Sequence, residues 1–266
     1  MNENRLKEIW LNHYSTSEEQ LQKMAEVKGL ISAFNANIDA VIKLKGAKIQ
    51  EFIDEFETNI NEIDTKKNII QSPDDVLRGF IHCFKNGIAE EWLIENIETY
   101  QWIHDHIGYE KLQMGGQGGI VANVAAVCGV DPVYVHCASL PNEQAELFLD
   151  LKNLLSVNDT GEIKKARSIH RENDTPLIHY ILEFDKGDVI KCGNESFTCP
   201  KSNRFIATYD PLNFKLHIDK TFIERLSAKD IHYEYIILSG YQMLQEKIDD
   251  TLNGKDRIDD SLLTIE

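Results

Sequence analysis

Four glycines fall within five positions of the stretch MGGQGGIVAN, residues 114–123. Because glycine has no Cβ atom, the backbone there can turn sharply and approach a ligand closely. Gln117 is the only side chain between the glycines that can form hydrogen bonds. From Ile120 onward the residues are small and apolar, which predicts a tightly buried helix whose first turn directs free N–H groups at a ligand. A tight loop before a core helix is the alternative interpretation. The stretch contains neither the Gly-x-Gly-x-x-Gly pattern of dinucleotide sites nor a Walker lysine.

A second stretch, ISAFNANIDAV at residues 31–41, begins as an apolar strand and ends in alternating polar residues. Asn35, Asn37 and Asp39 would point to one side of an extended chain. Amide and carboxylate groups suit a polyhydroxy compound, because each hydroxyl both donates and accepts a hydrogen bond. A turn that uses Asn and Asp for its own backbone hydrogen bonds is the alternative.

Composition excludes several classes of partner. The 266 residues carry a net charge of −16, which argues against binding nucleic acid or an anionic membrane surface, since both require a positive surface. No apolar run has the length of a membrane span, and residues 1–22 lack the apolar centre of a signal peptide. The five cysteines are odd in number and contain no Cys-x-x-Cys pair, which predicts reduced cytoplasmic thiols and no metal site.

Strand-like and helix-like patterns alternate along most of the chain, which predicts an α/β architecture with a mainly parallel sheet. Helices are predicted at 4–27 (broken near 15–19), 49–63, 72–86, 89–107 and 142–149, and strands at 30–34, 132–136 and 231–239. Five short β-rich runs, at 178–184, 188–192, 195–198, 205–208 and 215–218, are punctuated by Gly and Pro. They predict a β-rich lid at 166–218, with part of 44–110 as a candidate extension of it. The lid stands on an incomplete α/β domain formed by 1–165 and 219–266.

Taken together, the two opening stretches resemble the archaeal ADP-dependent sugar kinases, the glucokinases and phosphofructokinases of the ribokinase superfamily. Members of that family carry an Asn-x-Asn-x-Asp-Ala segment after the first strand and a Gly-Gly-Gln-Ala/Gly-Gly-Ile segment further on. Three more segments, IHYILEF at 178–184, NRFI at 203–206 and LSGYQ at 238–242, stand in the family's order. The resemblance implies a ribokinase-like three-layer αβα fold whose β-lid covers the sugar.

The resemblance also implies an activity and a binding site. The activity is ADP-dependent phosphorylation of a hexose or hexose phosphate, glucose or fructose 6-phosphate, in glycolysis, which leaves AMP. Asp39 is chemically the best site candidate, because a carboxylate can accept from two neighbouring hydroxyls through charge-assisted bonds. The implied sugar-binding residues are Asn35, Asn37, Asp39, Gly116, Gln117, His179 and Arg204.

Single residues leave the substrate open between glucose and fructose 6-phosphate. His179 resembles the glucokinase branch, whereas an arginine at the position of Arg204 suits a sugar phosphate. Ser72 stands before Pro73 where glucose-selective members carry a glutamate. Three other nearby cations, at Lys201, Arg167 and Arg171, are interpreted as solvated lid surface.

Family members are longer, and the Gly-x-Gly-Asp loop that carries their catalytic aspartate does not occur in this sequence. The resemblance therefore implies that Mg²⁺ and ADP act in the complete enzyme, that neither is bound by this chain, and that the chain is an inactive sugar-binding half. No catalytic residue is assigned, and the oligomeric state stays open. The alternatives are a non-enzymatic sugar-binding protein and an ATP-dependent ribokinase-like kinase.

Overall fold

Two separate β-sheets organise the chain. The computed structural model describes residues 3–56, 58, 68–244 and 254–263. The chain divides into two units: unit 1 comprises Met1–Asn37, Met114–Pro176 and Leu212–Glu266, and unit 2 comprises Ile38–Gln113 and Leu177–Pro211. Each unit is described below by itself.

Unit 1 is built on a five-stranded sheet that is parallel except at one edge. Its strands, in spatial order, are β13 (Tyr235–Leu238), β1 (Leu30–Ala33), β6 (Val133–Val135), β7 (Leu154–Val157) and the antiparallel β8 (Ile163–Lys165). Its helices are α1 (Glu3–Met24), α5 (Gln117–Val127), α6 (Asn142–Ala145), α7 (Lys220–Leu226) and α8 (Gly254–Leu263).

Helices cover both faces of this sheet, because β1 is buried on both sides. On one face, Ala122 and Ala126 of α5 pack in a cluster with Val133 and Leu154. On the other face, the α7 side chains, chiefly Phe222, pack in a cluster with residues of β1. Unit 1 is therefore a three-layer αβα arrangement.

Unit 2 contains a six-stranded mixed sheet. Its strands, in spatial order, are β3 (Ile69–Ile70), β4 (Glu90–Ile94), β12 (Asn203–Tyr209), β9 (Ile178–Phe184), β2 (Asn37–Lys43) and β5 (Lys111–Gly115). β12 runs antiparallel to β9 and parallel to β4, and β9 runs parallel to β2. The remaining elements are α2 (Gly46–Glu55), α3 (Pro73–Asn86), α4 (Ile97–Trp102) with a π turn at Ile103–Ile107, and a hairpin of β10 (Val189–Cys192) and β11 (Glu195–Thr198).

The two faces of the unit 2 sheet differ in chemistry. Helix α3 packs on one face, where the Phe80 ring lies 5.6 Å from that of Phe184. Successive side chains of a strand point to opposite faces. His179 is an odd number of positions from Phe184 on β9 and therefore points to the other face. Asp39 and Thr208, its direct neighbours on β2 and β12, point to that face as well.

The predicted α/β class with mainly parallel sheets is confirmed, and so is the predicted helix at 72–86. Ser72 caps α3 by accepting from the Asp75 amide. Gly87, at φ +62°, ends the helix in the left-handed conformation that glycine adopts most easily. Pro73 occupies the first turn, where its missing N–H leaves no bond unmade.

Several predicted elements were wrong. The helix predicted at 89–107 is instead strand β4 followed by α4, which begins where Asn96 accepts from the Thr99 amide at 2.8 Å. Helix α1 runs unbroken through 15–19, because the Ser15 and Ser17 hydroxyls donate back to carbonyls of the preceding turn. The strand predicted at 215–218 is absent, because Leu216 has φ +47°.

Other sequence-based expectations were incomplete. Strands β5, β7 and β8 were not predicted, and α5 is not buried on all sides, since Ile120, Val124 and Val127 are exposed. The predicted helix at 49–63 ends at Glu55, and residues 57 and 59–63 lie outside the described residues. The predicted lid at 166–218 contributes residues 177–211 to unit 2.

The described residues include all five cysteines, and none of these forms a disulfide. Among the helices that the structure describes, none combines the length and apolar character needed to cross a bilayer.

Candidate functional site

In unit 1, the loop after β1 meets the start of α5. The Asn35 carbonyl accepts from the amides of Gly118 at 2.7 Å and Gly119 at 3.3 Å. The Ser32 hydroxyl donates to the Gly118 carbonyl at 2.8 Å. The expectation that these first-turn N–H groups of α5 are free was therefore wrong, because the neighbouring loop already satisfies two of them.

The glycines of this region make that close contact possible. A Cβ atom on Gly116 would lie 2.5 Å from the Asn35 carbonyl oxygen and 2.7 Å from Asn37 Oδ1. Gly116 also has φ +72° and ψ 142°, a backbone conformation open essentially to glycine alone. Gly240, with φ +91°, would place a Cβ 2.9 Å from that of Asn35. The glycine run thus packs two backbone segments together at the carboxyl end of β1, the edge at which parallel α/β sheets bind ligands.

The candidate residues of unit 1 are positioned by two different segments. Asn35 lies in the loop between β1 and β2, and Asn37 is the first residue of β2, so the chain from 31 to 41 is not one extended strand as predicted. Both asparagine side chains are buried. Gln117, the first residue of α5, is exposed next to Gly116.

In unit 2, a cluster of polar residues forms around His179. Asp39, His179 and Thr208 are direct neighbours on the adjacent strands β2, β9 and β12. The ring atom His179 Nε2 lies 3.0 Å from Asp210 Oδ2, and Nδ1 lies 3.8 Å from Glu91 Oε1. The Thr208 hydroxyl donates to the same Glu91 oxygen at 2.7 Å. The sheet register therefore gathers three carboxyl groups about one imidazole.

Electrostatics in this cluster favour a charged histidine. Burial by itself lowers the pKa of His179, but the hydrogen bond and charge of Asp210, with the charges of Glu91 and Asp39, outweigh it and raise the pKa above its usual value. Imidazolium donors and carboxylate acceptors side by side can bind several hydroxyl groups, since each hydroxyl uses both kinds of partner.

Arg204 lies on the same sheet face as Thr208 but four residues away along β12, which separates their Cα atoms by about 13 Å. It is exposed, as is Lys201. Its neighbour on β9 is Glu183, whereas that of Thr208 is His179. The structure thus places Arg204 on the face of the histidine cluster without bringing it into the cluster.

Two of the other predicted surface cations belong to unit 1. Arg171 was interpreted as solvated, and this was wrong: its side chain is only 10% exposed and binds Asp174 at 2.6 Å and Asp219 at 2.5 Å. It also donates to the Cys137 carbonyl at 2.9 Å. Arg167 is exposed and donates to the carbonyls of Glu146 and Phe148. Both arginines therefore connect neighbouring segments within unit 1.

Sequence reasoning missed Glu91 and Asp210. Glu91 lies within the segment that was predicted as a helix. Nothing in the sequence of 203–209 indicated that this segment pairs with β4. Asp210 could have been noticed, because it continues the alternation of Thr208 on β12 and precedes Pro211 at the end of the strand. Ser72 exchanges hydrogen bonds with Asp75 at the start of α3.

In the described ranges, no group of three or more His, Cys, Asp or Glu side chains is arranged to hold a metal ion. The arrangement in both units instead offers neutral and charged hydrogen-bonding groups. Hydrogen-bonding groups of both kinds can hold a small polar ligand.

Comparison with known proteins gives consistent matches. Residues 28–265 match the family model described as the ADP-specific phosphofructokinase/glucokinase conserved region. An ADP-specific phosphofructokinase of Thermococcus kodakarensis is 31% identical over 245 residues, which are 89% of this chain and 52% of that protein. An ADP-dependent glucose/glucosamine kinase of Pyrococcus abyssi is 33% identical over 246 residues, covering 90% of this chain and 52% of that protein. The chain spans about half the length of these relatives.

Solved structures give the same result. An ADP-dependent kinase in complex with fructose 6-phosphate and ADPβS matches with a TM-score of 0.75 and 28% identity, over 96% of this chain and 51% of that one. A phosphofructokinase of Pyrococcus horikoshii with AMP matches with a TM-score of 0.72 and 27% identity, over 90% of this chain and 54% of that one.

Proposed function

Because this chain belongs to the ADP-specific phosphofructokinase/glucokinase family, we propose that it is the sugar-binding part of a kinase. That kinase transfers the β-phosphoryl group of ADP to a hexose or hexose phosphate and leaves AMP. Support comes from relatives named ADP-specific phosphofructokinase and ADP-dependent glucose/glucosamine kinase. An ADP-dependent kinase structure in complex with fructose 6-phosphate and ADPβS supports it as well. Residue by residue, the proposed sugar ligands are Asn35, Asn37, Gly116 and Gln117 in unit 1, and Asp39, His179 and Arg204 in unit 2.

The observation that carries the proposal is the polar cluster about His179. Binding a hexose in place of water requires acceptors and donors that are already fixed, and the strand register fixes Asp39 beside His179. A hydrogen bond from a ligand hydroxyl to a carboxylate is stronger than a hydrogen bond between two neutral groups. Arg204, further along the same face, is the proposed partner of a phosphate when the sugar carries one.

ADP and Mg²⁺ belong to the activity proposed for the whole enzyme, where the ion would neutralise charge on the transferring phosphoryl group. The described residues provide no carboxylate cluster suited to the ion, so no step through Mg²⁺ is assigned to them. We also propose a cytoplasmic role in glycolysis, which cysteines without disulfides support.

Substituting Asp39 should test the sugar site directly. We expect Asp39→Ala to weaken hexose binding by about 1.5–3 kcal/mol, or roughly 10- to 150-fold in Kd, because a charge-assisted hydrogen bond is lost. Isothermal titration calorimetry with glucose and with fructose 6-phosphate measures the change. Asp54→Asn, at an exposed position on α2 of the same unit, is the control. Equal affinities for the wild type and Asp39→Ala would remove Asp39 from the site.

The 266-residue chain by itself should form no AMP from ADP and sugar. Phosphoryl transfer requires a base aligned with the attacking hydroxyl and cations about the phosphoryl group, and the sequence lacks the Gly-x-Gly-Asp loop. A coupled assay for sugar-stimulated AMP formation tests this, with Asp39→Ala as the control. AMP formation by the wild type above that control would show that these residues contain a catalytic group. Sugar-dependent ADP formation from ATP would instead favour an ATP-dependent kinase.

A further inference from the structure

One side of helix α1 carries a row of exposed apolar side chains. They follow one another at spacings of three, four and seven residues, which place them on a single face of a helix. We call this row the α1 stripe, and its members are Leu6, Ile9, Trp10, Tyr14 and Leu21. Its two large aromatic side chains lie mostly in solvent, since Trp10 is 58% and Tyr14 is 72% exposed.

Helix α1 packs on unit 1 near its end. Its last residue, Met24, contacts the core cluster that contains residues of α5 and β6, whereas residues 4–15 are exposed at every position. Helices in proteins take most of their stability from packing of an apolar face. The stripe also lies outside residues 28–265, which the family model matches. A 22-residue helix with an exposed apolar face is therefore a candidate interaction surface of this chain.

Charges beside the stripe indicate what it binds. Lys7 and Glu18 are exposed and lie on the same flank of the stripe, because the eleven residues between their positions make about three helical turns. About 16 Å of helix separates them, so they cannot pair within one copy. In two α1 helices packed antiparallel about a twofold axis near residues 12 and 13, Lys7 of each copy lies opposite Glu18 of the other. A parallel arrangement would instead place like charges together.

We propose that the α1 stripe is a homodimer interface, in which the stripes of two copies pack antiparallel and two Lys7–Glu18 pairs flank them. Such a twofold contact uses the same surface on both copies and closes at the dimer. The net charge of −16 repels two chains, and the two ion pairs offset part of that repulsion. Two helices about 33 Å long form a small contact, which predicts a reversible, concentration-dependent dimer.

Sedimentation velocity of the 266-residue chain at a series of concentrations tests the proposal. The wild type should pass from monomer to dimer as its concentration rises. Trp10→Ala should associate at least about tenfold more weakly, because it removes the largest side chain of the stripe. A wild type that stays monomeric at every concentration would overturn the proposal in favour of another protein segment as the occupant. A Trp10→Ala variant that associates like the wild type would show that the dimer forms elsewhere.

Charge reversal tests the antiparallel orientation. Lys7→Glu and Glu18→Lys should each weaken self-association at least about tenfold, because each variant creates two like-charge contacts. An equimolar mixture of the two variants should form a heterodimer, in which both contacts again join opposite charges. Glu8→Lys is the matched control, because it makes the same charge change two residues from Trp10, away from the stripe. It should associate like the wild type.

The three charged positions are exposed, so circular dichroism of each variant should match that of the wild type. A mixture that forms no heterodimer would contradict the antiparallel interface. Equal losses in Glu8→Lys and Glu18→Lys would contradict it too, because the effect would then follow from net charge alone.

Discussion

Gly116→Ala should lower the free energy of unfolding of unit 1 by about 2–6 kcal/mol. Two penalties combine. The backbone at φ +72° and ψ 142° is strained for any residue with a Cβ atom, which costs about 1–3 kcal/mol. The new Cβ would also lie 2.5 Å from the Asn35 carbonyl oxygen, and such overpacking costs about 1–3 kcal/mol. The Asn35 carbonyl cannot move away easily, since it accepts a hydrogen bond from the Gly118 amide.

Gly161→Ala is the control for a positive φ without a close contact. Gly161 lies in the same unit at φ +78°, but its nearest neighbour to an added Cβ is Thr221 Cγ2, at an ordinary 3.9 Å. This variant should show the backbone penalty alone, about 1–2 kcal/mol. Urea denaturation followed by circular dichroism measures both variants. If both lost the same stability, the close contact between the α5 start and the Asn35 loop would not be what requires glycine at 116.

Local signals in the sequence were sufficient where an element is determined by its own residues. Helix α3 carries its start and stop signals in Ser72, Pro73 and Gly87, and the structure uses all three. The apolar run at 30–34 gives β1, and the alternating run at 178–184 gives β9. These predictions required no knowledge of distant parts of the chain.

Prediction from sequence failed where distant pairing decides. Residues 90–94 have spacings that fit a helix, but their hydrogen bonds with β12, more than a hundred residues away, make them a strand. That error concealed Glu91, which only the pairing of β4 with β12 brings near His179. Likewise, the glycine loop was predicted to direct free amides at a ligand. In the structure, the Asn35 carbonyl accepts hydrogen bonds from two of those amides.

Arg171 shows the same limit for charged residues, because sequence position alone does not distinguish a solvated arginine from a buried one. Its guanidinium connects three segments of unit 1: the Cys137 carbonyl after β6, the Asp174 carboxylate, and the Asp219 carboxylate. Asp219 in turn caps α7 by accepting from the amides of Thr221 and Phe222. A single cation therefore supports the loop after β6 and the start of α7.

Arg171→Met should consequently destabilise unit 1 by about 3–5 kcal/mol, because it leaves two largely buried carboxylates without their cation. Arg225→Met is the matched control in the same unit. Arg225 pairs with Asp230, whose side chain is 67% exposed, so its loss should cost about 1 kcal/mol or less. Thermal and urea denaturation of both variants give the comparison. Equal losses would mean that water reaches Asp174 and Asp219 as readily as it reaches Asp230, and that the Arg171 network adds no more stability than a surface ion pair.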